Sequence, residues 1–235
     1  MTEAGAVRAR LTLLFDADDT LWENNILFER VITDYFAWLR HPTLDHDALR
    51  AVLNDVERAN TVTHGYGASV FLRTLHDTFA HLNSRLTTEA ESAEITALAD
   101  DLLNSRIELV PDVANILAEL GSRHDLRLVT KGAPDEQRAK LEASGLATHF
   151  VSVHILREKD VAGYETLVTE FGLDRARTWM IGNSPKSDIR PARAAGLGAV
   201  FVPNENTWVL EHDDLDEDDR GVLTLPTLRA LLEHF

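Results

Sequence analysis

Two hydrophobic periods divide this chain of 235 residues. Near the start, Leu11-Thr12-Leu13-Leu14-Phe15 is an almost unbroken apolar run, the pattern of a parallel strand buried on both faces. From 24 to 109 the period becomes helical. Phe28, Val31, Ile32, Tyr35, Phe36 and Leu39 fall on one face at three-to-four spacing, and His41-Pro42 ends that helix. Further stripes run through 44–58, 69–82 and 88–103, with no strand pattern among them, and such aromatic stripes are core positions. The turn Thr63-His64-Gly65-Tyr66-Gly67 carries two glycines that allow sharp bends. It is either a plain helix–helix loop or a device presenting His64 and Tyr66 to a substrate.

Beyond Pro111 the pattern alternates. A helix from Pro111 to Leu120 is stopped by Gly121, and a strand over 126–129 ends in Thr130-Lys131-Gly132. A helix over 134–144 closes at Gly145, a strand follows over 150–155, then a helix over 161–171. The strand 178–181 ends in Gly182-Asn183-Ser184, the helix 187–195 stops at Gly196, and strand 199–202 follows. A last strand over 222–225 and a terminal helix over 227–234 complete the chain. Repeated βα units predict an α/β fold, a doubly wound and mostly parallel Rossmann-like sheet with right-handed crossovers. The helical block is then an insertion after the first strand. The expected organisation is a core of 1–22 and 110–235 with an all-helical cap over 23–109.

Charge and composition narrow the partners. The net charge of −16, from 23 Lys and Arg against 39 Asp and Glu, argues against nucleic-acid and anionic-membrane binding. Cysteine is absent, which removes disulfides and thiolate chemistry. With no apolar signal core and no run long enough to span a bilayer, a soluble cytoplasmic protein is expected. The acidic run 211–219 predicts a solvated surface loop. No pattern in the chain fixes an oligomeric state.

Candidate chemistry collects at the predicted strand ends. The first strand runs into Asp16-Ala17-Asp18-Asp19-Thr20. Three carboxylates within four residues resist joint ionisation unless a cation sits among them, and a divalent metal is the natural cation. The spacing imitates the start of a calcium loop, but Leu21 and Leu27 stand where that loop needs Gly and Glu. Thr130 closes the second strand, Asn183 and Asp188 follow a later one, and Lys159 precedes helix 161–171. In a doubly wound sheet these ends face one crevice. Taken singly, Thr130 could cap a helix, Lys159 lie on the surface, Asp188 favour a helix dipole and Asn183 serve a turn. Together their types suit phosphoryl transfer. A carboxylate attacks phosphorus, a second carboxyl moves the proton, and a hydroxyl, amides and a lysine hold the phosphoryl oxygens.

The ordered set Asp16, Asp18 and Thr20, then Thr130, then Lys159, then Gly182-Asn183-Ser184-Pro185-Lys186-Ser187-Asp188 resembles the haloacid dehalogenase-like (HAD) superfamily. The resemblance extends over essentially the whole chain. It implies Asp16 as nucleophile, Asp18 as general acid/base, Thr130 as a phosphate ligand with Lys131 and Gly132 beside it, and Lys159 steadying nucleophile and phosphoryl group. It implies magnesium (Mg2+) held by Asp16, the backbone carbonyl of Asp18, Asn183 and Asp188. The helical insertion is similar to the C1-type cap of the superfamily, which supplies substrate specificity. This chain departs from the commoner pattern in having Asn183 where Asp is usual and Lys131 where Asn is usual. Lys131 then either helps bind an anionic substrate or faces solvent.

The activity implied is a magnesium-dependent phosphatase acting on a small phosphorylated metabolite through an aspartyl-phosphate. The alternatives are a phosphomutase, a haloacid dehalogenase, or a catalytically silent HAD-like binding protein. Dehalogenases use the Asp nucleophile without metal and generally lack the second aspartate, so Asp18 favours phosphoryl transfer. A receiver domain of the response-regulator kind needs its reactive Asp on a middle strand and has no cap. Walker A, G-x-G-x-x-G, H-E-x-x-H and G-x-S-x-G motifs are absent. Trp22, Glu23, Asn24, His64 and Tyr66 are the expected substrate contacts, and 204–211 with Trp208 either packs near the mouth of the site or, the reading favoured here, is structural.

Overall fold

Strand β1 (Thr12–Phe15) lies in the interior of a six-stranded, wholly parallel sheet in the computed structural model, which describes residues 10–103 and 107–235. Residues 1–9 of the expected core and 104–106 of the expected cap lie outside the described residues. After β1 come a two-residue strand β2 (Trp22–Glu23) and helices α1 (Asn25–Leu39), α2 (His46–His64), α3 (Ala68–Asn83), α4 (Glu89–Leu98) and α5 (Asp100–Leu103). The chain returns through β3 (Glu108–Leu109), α6 (Val113–Arg123), β4 (Asp125–Lys131), α7 (Pro134–Ser144), β5 (Ser152–Leu156) and α8 (Val161–Phe171). It ends with β6 (Thr178–Gly182), α9 (Arg190–Ala194), β7 (Gly198–Phe201), β8 (Val222–Thr224) and α10 (Leu231–His234).

The sheet order is β5-β4-β1-β6-β7-β8. It reverses at β1, which pairs with β4 on one side and β6 on the other, so the carboxyl end of β1 opens into a crevice. Alternation along β1 feeds both faces. Leu13 and Phe15 pack with Ile116, Leu117 and Leu120 of α6, while Leu14 packs with Tyr164 and Val168 of α8 and Met180 of β6. Both faces are dry, which is why the strand reads as a continuous apolar run rather than an alternating one.

Helices α1–α5 carry a hydrophobic cluster of their own, centred on Tyr35, Leu53, Leu75, Ile95 and Ala99. Polar residues set its helix starts. Asp45 accepts from the Ala48 amide (2.9 Å) at the head of α2, and Thr88 with Glu91 forms a reciprocal capping box at the head of α4. The block was expected to hold no strand, but Glu108–Leu109 pairs antiparallel with Trp22–Glu23. Two residues are too few to show a period, and the short ribbon ties the block's entry to its exit.

Other elements shift for identifiable reasons. The helix expected to stop at Gly121 runs to Arg123. Its end is set by His124, which turns extended and uses its imidazole to bond the Leu11 amide (3.3 Å) and the Phe235 carbonyl (2.9 Å). The stretch 88–103 is two helices parted at Ala99. The helix expected over 187–195 begins as a wide π-helical turn, Pro185–Ile189. Pro191 has no amide to bond the Ser187 carbonyl, and the Tyr164 hydroxyl donates to that carbonyl instead (3.0 Å). Among the described residues no helix is long and apolar enough to cross a membrane.

Candidate active site

The polypeptide leaves the sheet at Asp16, whose amide still bonds the Ile181 carbonyl of β6 (2.9 Å). It then curls so that the Thr20 and Leu21 amides both close on the Ala17 carbonyl (3.2 and 2.8 Å). This curl separates the three carboxylates. The Asp16 carboxylate takes the Lys159 ammonium on Oδ1 and the Thr20 hydroxyl on Oδ2 (2.9 Å). Asp18 accepts from Trp22 Nε1 (2.7 Å), Gln137 Nε2 (2.9 Å) and Lys140 Nζ (3.1 and 3.2 Å). Asp19, at a left-handed φ of 61°, accepts from the Asn24 and Asn25 amides (both 2.9 Å) and so caps α1. The cation expected among them is supplied in part by the protein's own side chains. Two lysines and a helix N-terminus each take one carboxylate.

Lys159, just ahead of α8, is buried between two acids. It bonds Asp16 and also Asp188 Oδ1 (2.5 Å), which is fully buried in the π-helical turn. Burial pushes both carboxyls upward, the Asp18 charge raises Asp16 further and the Asp16 charge raises Asp188, while Lys159 pulls both down. Burial works against the ammonium too, yet the two acids hold Lys159 well above its usual range. Gly182 makes this packing feasible, because a Cβ there would collide with the Asp188 carboxylate. Burial likewise opposes the Asp18 charge, but Lys140, aided by Gln137 and Trp22, holds that carboxyl below its ordinary value.

The other expected site residues converge on the same cavity. Thr130, at the end of β4, is buried and faces Gln137 (3.4 Å), with Gly132 beside it at a φ of 137°. Asn183 has its amide orientation fixed, since Nδ2 donates to the Thr207 hydroxyl (2.8 Å) and Oδ1 lies 3.2 Å from the Thr20 hydroxyl. Lys131 does not face solvent. It pairs with Glu211 (2.6 Å), reaches the Ser187 hydroxyl (3.0 Å) and lies over the Tyr66 ring (4.6 Å). The acidic run therefore begins inside the protein. Glu211 is buried and also accepts from the Ser184 hydroxyl (2.5 Å), with its neighbours to Asp214 exposed.

A cavity of about 140 Å³ is lined by these groups and by α1, α2 and α3 of the helical block. Asn24 and Tyr66 line it as expected, whereas Trp22, Glu23 and His64 do not. Trp22 is fully buried and acts instead through its bond to Asp18. Sequence reasoning missed Gln137, Lys140, Glu57 and Glu211. The first two were visible in principle, because they sit three apart on one face of the helix that follows the Thr130 strand. Trp208 follows the less favoured of its two readings, lining the cavity and donating to Glu57 (3.1 Å).

Burial pushes the Glu57 carboxyl up to about 7 from 4.5. A raised carboxyl gives its full stabilising contribution below the unfolded value and loses it as pH climbs through the folded one. The wild-type protein should therefore lose about 3 kcal/mol between pH 4.5 and 8 that a Glu57→Gln protein keeps. Denaturant titrations at pH 5 and pH 8 test this. Parallel pH dependence in the two proteins would refute it.

The donor set fits a hard divalent cation. Asp16 and Asp188 offer buried carboxylate oxygens with only Lys159 between them, and Asn183 offers an amide oxygen beside the same Thr20 hydroxyl. Among the described residues no group of three His, Cys, Asp or Glu side chains stands at metal-binding spacing, which leaves the third position to the amide. The Asp18 side chain is fully committed elsewhere, so any metal contact there falls to its backbone oxygen.

This architecture is shared with known hydrolases. The sequence signature described as haloacid dehalogenase-like hydrolase matches residues 11–196, and the chain belongs to that family. It is a hydrolase by that membership. A phosphoserine phosphatase of Thermus thermophilus is 38% identical over 103 residues, a match spanning 41% of this chain and 41% of that protein. The pyrimidine 5'-nucleotidase YjjG of Escherichia coli is 25% identical over 81% of this chain and 84% of its own. A haloacid dehalogenase-like family hydrolase from Xanthomonas campestris superposes with a TM-score of 0.82 at 25% identity, covering 96% of this chain and 94% of its own.

Proposed function

We propose that this protein is a magnesium-dependent cytoplasmic phosphatase that hydrolyses a small phosphorylated metabolite through an aspartyl-phosphate. The observation that carries the reading is the meeting of Asp16, Asp18, Thr130, Lys159, Asn183 and Asp188 in one cavity, with Lys159 clamped between Asp16 and Asp188. Two of the relatives above are named as a phosphatase and a nucleotidase, which supports the same reading. In this scheme an Asp16 oxygen forms a bond to phosphorus as the ester P–O bond breaks, and Asp18, having taken up a proton with the incoming substrate against the pull of Lys140, gives that proton to the departing oxygen. Asp18, now the carboxylate favoured by Lys140, takes a proton from the water that cleaves the aspartyl-phosphate. Thr130 and backbone amides of the β4–α7 loop hold phosphoryl oxygens, and Lys159 balances the charge. Magnesium, held by Asp16, Asn183, Asp188 and the Asp18 carbonyl, would supply neutralisation of the phosphoryl charge. The helical block 23–109 acts as the cap and the remainder as the catalytic core.

The test is phosphate release from p-nitrophenyl phosphate and a panel of phosphorylated metabolites, with magnesium and after chelation. Release that needs magnesium is expected. Release that survives complete chelation would overturn the metal requirement, and no release from any ester by folded protein would overturn the phosphatase reading.

A further inference from the structure

One carboxylate in the cavity wall has no part in the chemistry above. Glu57, on α2, is only 8% exposed and lines the cavity. Its Oε2 accepts from Trp208 Nε1 (3.1 Å), whereas among the described residues Oε1 has no hydrogen-bond partner. Arg50, on the same helix, bonds both oxygens of Glu29 (2.5 and 2.7 Å) and reaches Glu57 only through its charge, without a hydrogen bond. Glu57 thus presents the cavity with an acceptor that a donor on a ligand can complete.

The surroundings define what that ligand carries. Phe28 and Phe71 meet edge to face at 4.9 Å and Tyr66 and Trp208 at 6.1 Å, so apolar ring faces and edges border the same space. Every lysine lining the cavity is already paired, Lys131 with Glu211, Lys140 with Asp18 and Glu136, and Lys159 with Asp16 and Asp188. Among the described residues no arginine lines it. A second anion on the substrate would find no unpaired cation, whereas a nitrogen donor would find an unpaired acceptor.

We propose that Glu57 is the specificity-determining residue of this cavity, accepting a hydrogen bond from a nitrogen donor on the leaving group of the phosphate monoester. The donor is a ring N–H or an ammonium, and the aromatic residues hold the apolar part beside it. This rests on the phosphatase reading and adds the class of leaving group. The raised carboxyl of Glu57 agrees with it, because a donor or cation at Oε1 is what would draw the group back to the ionised form.

Two matched pairs test the proposal. Phosphoethanolamine is compared with propyl phosphate, and uridine 5'-monophosphate with its phenyl C-riboside analogue. In one pair the nitrogen-bearing member is favoured by about 10-fold or more in kcat/KM, and Glu57→Leu collapses that ratio towards one. Glu57→Gln separates the sources, retaining part of a ring N–H preference and losing most of an ammonium preference. Thermal shifts of folded Asp16→Asn protein with the same four esters, with and without Glu57→Leu, read the preference without turnover. A ratio near one in both pairs, or a preference indifferent to Glu57→Leu, overturns the assignment of Glu57. Absence of release from p-nitrophenyl phosphate, from the four esters and from the rest of the panel would instead strike the phosphatase reading, and the thermal shifts would still decide Glu57.

Discussion

Asp16→Asn is expected to lower kcat by about 10⁴-fold or more while leaving the protein folded. The amide keeps the shape of the side chain, its oxygen accepting from Lys159 and its nitrogen donating to the Thr20 hydroxyl, but it cannot attack phosphorus as a carboxylate does. The change also removes one of two buried negative charges that repel each other across Lys159, so stability should hold. Circular dichroism and a melting curve establish the fold, and phosphate release measures the loss. Activity within tenfold of wild type in a folded Asp16→Asn protein would remove Asp16 from the role of nucleophile.

Lys159→Met is expected to damage both stability and turnover. It leaves Asp16 and Asp188 buried without the cation that bonds both, and breaking such an arrangement costs about 3–5 kcal/mol. The cost should be larger at pH 8 than at pH 5, because both carboxyls are pushed upward by burial and one can shed its charge in acid. Loss of an ammonium aimed at the phosphoryl position should lower kcat by about 10²–10³-fold. Magnesium should raise the melting temperature of Lys159→Met by more than that of wild type, since a cation would replace the missing charge. Equal shifts in the two proteins would argue against a metal held by Asp16 and Asp188. Wild-type stability in Lys159→Met would show that the lysine is not the counter-charge of the site.

The buried strands were legible because a strand with two dry faces leaves a continuous apolar run, as in Leu13-Leu14-Phe15. The meeting of Asp16, Lys159 and Asp188 was legible too, since the parallel topology sends each strand end to one side of the sheet. The partners of Asp18 were not. Gln137 and Lys140 read as ordinary polar residues of an amphipathic helix, and only the docking of α7 turns them inward. Glu211 was hidden for a related reason, because it heads an acidic run whose next residues are solvated. The role of Trp22 depends on where its indole points, which spacing does not encode. Glu57 lies on a helix among other charged residues, and its burial follows from the seating of Trp208 against it.

The two-residue ribbon of β2 and β3 has a bearing on how such proteins diversify. Trp22 stands opposite Leu109 and Glu23 opposite Glu108, so the ends of the intervening helical block are neighbours in space. Seen from the parallel sheet, everything between them is topologically a hairpin loop, whatever its length. Loop-closure entropy grows only slowly with length, roughly 0.6 kcal/mol for each doubling. The block can therefore be lengthened, shortened or exchanged for another at little cost to the strands that present Asp16, Thr130 and Asn183. Substrate choice, resting on residues such as Glu57, can drift independently of the chemistry beneath it.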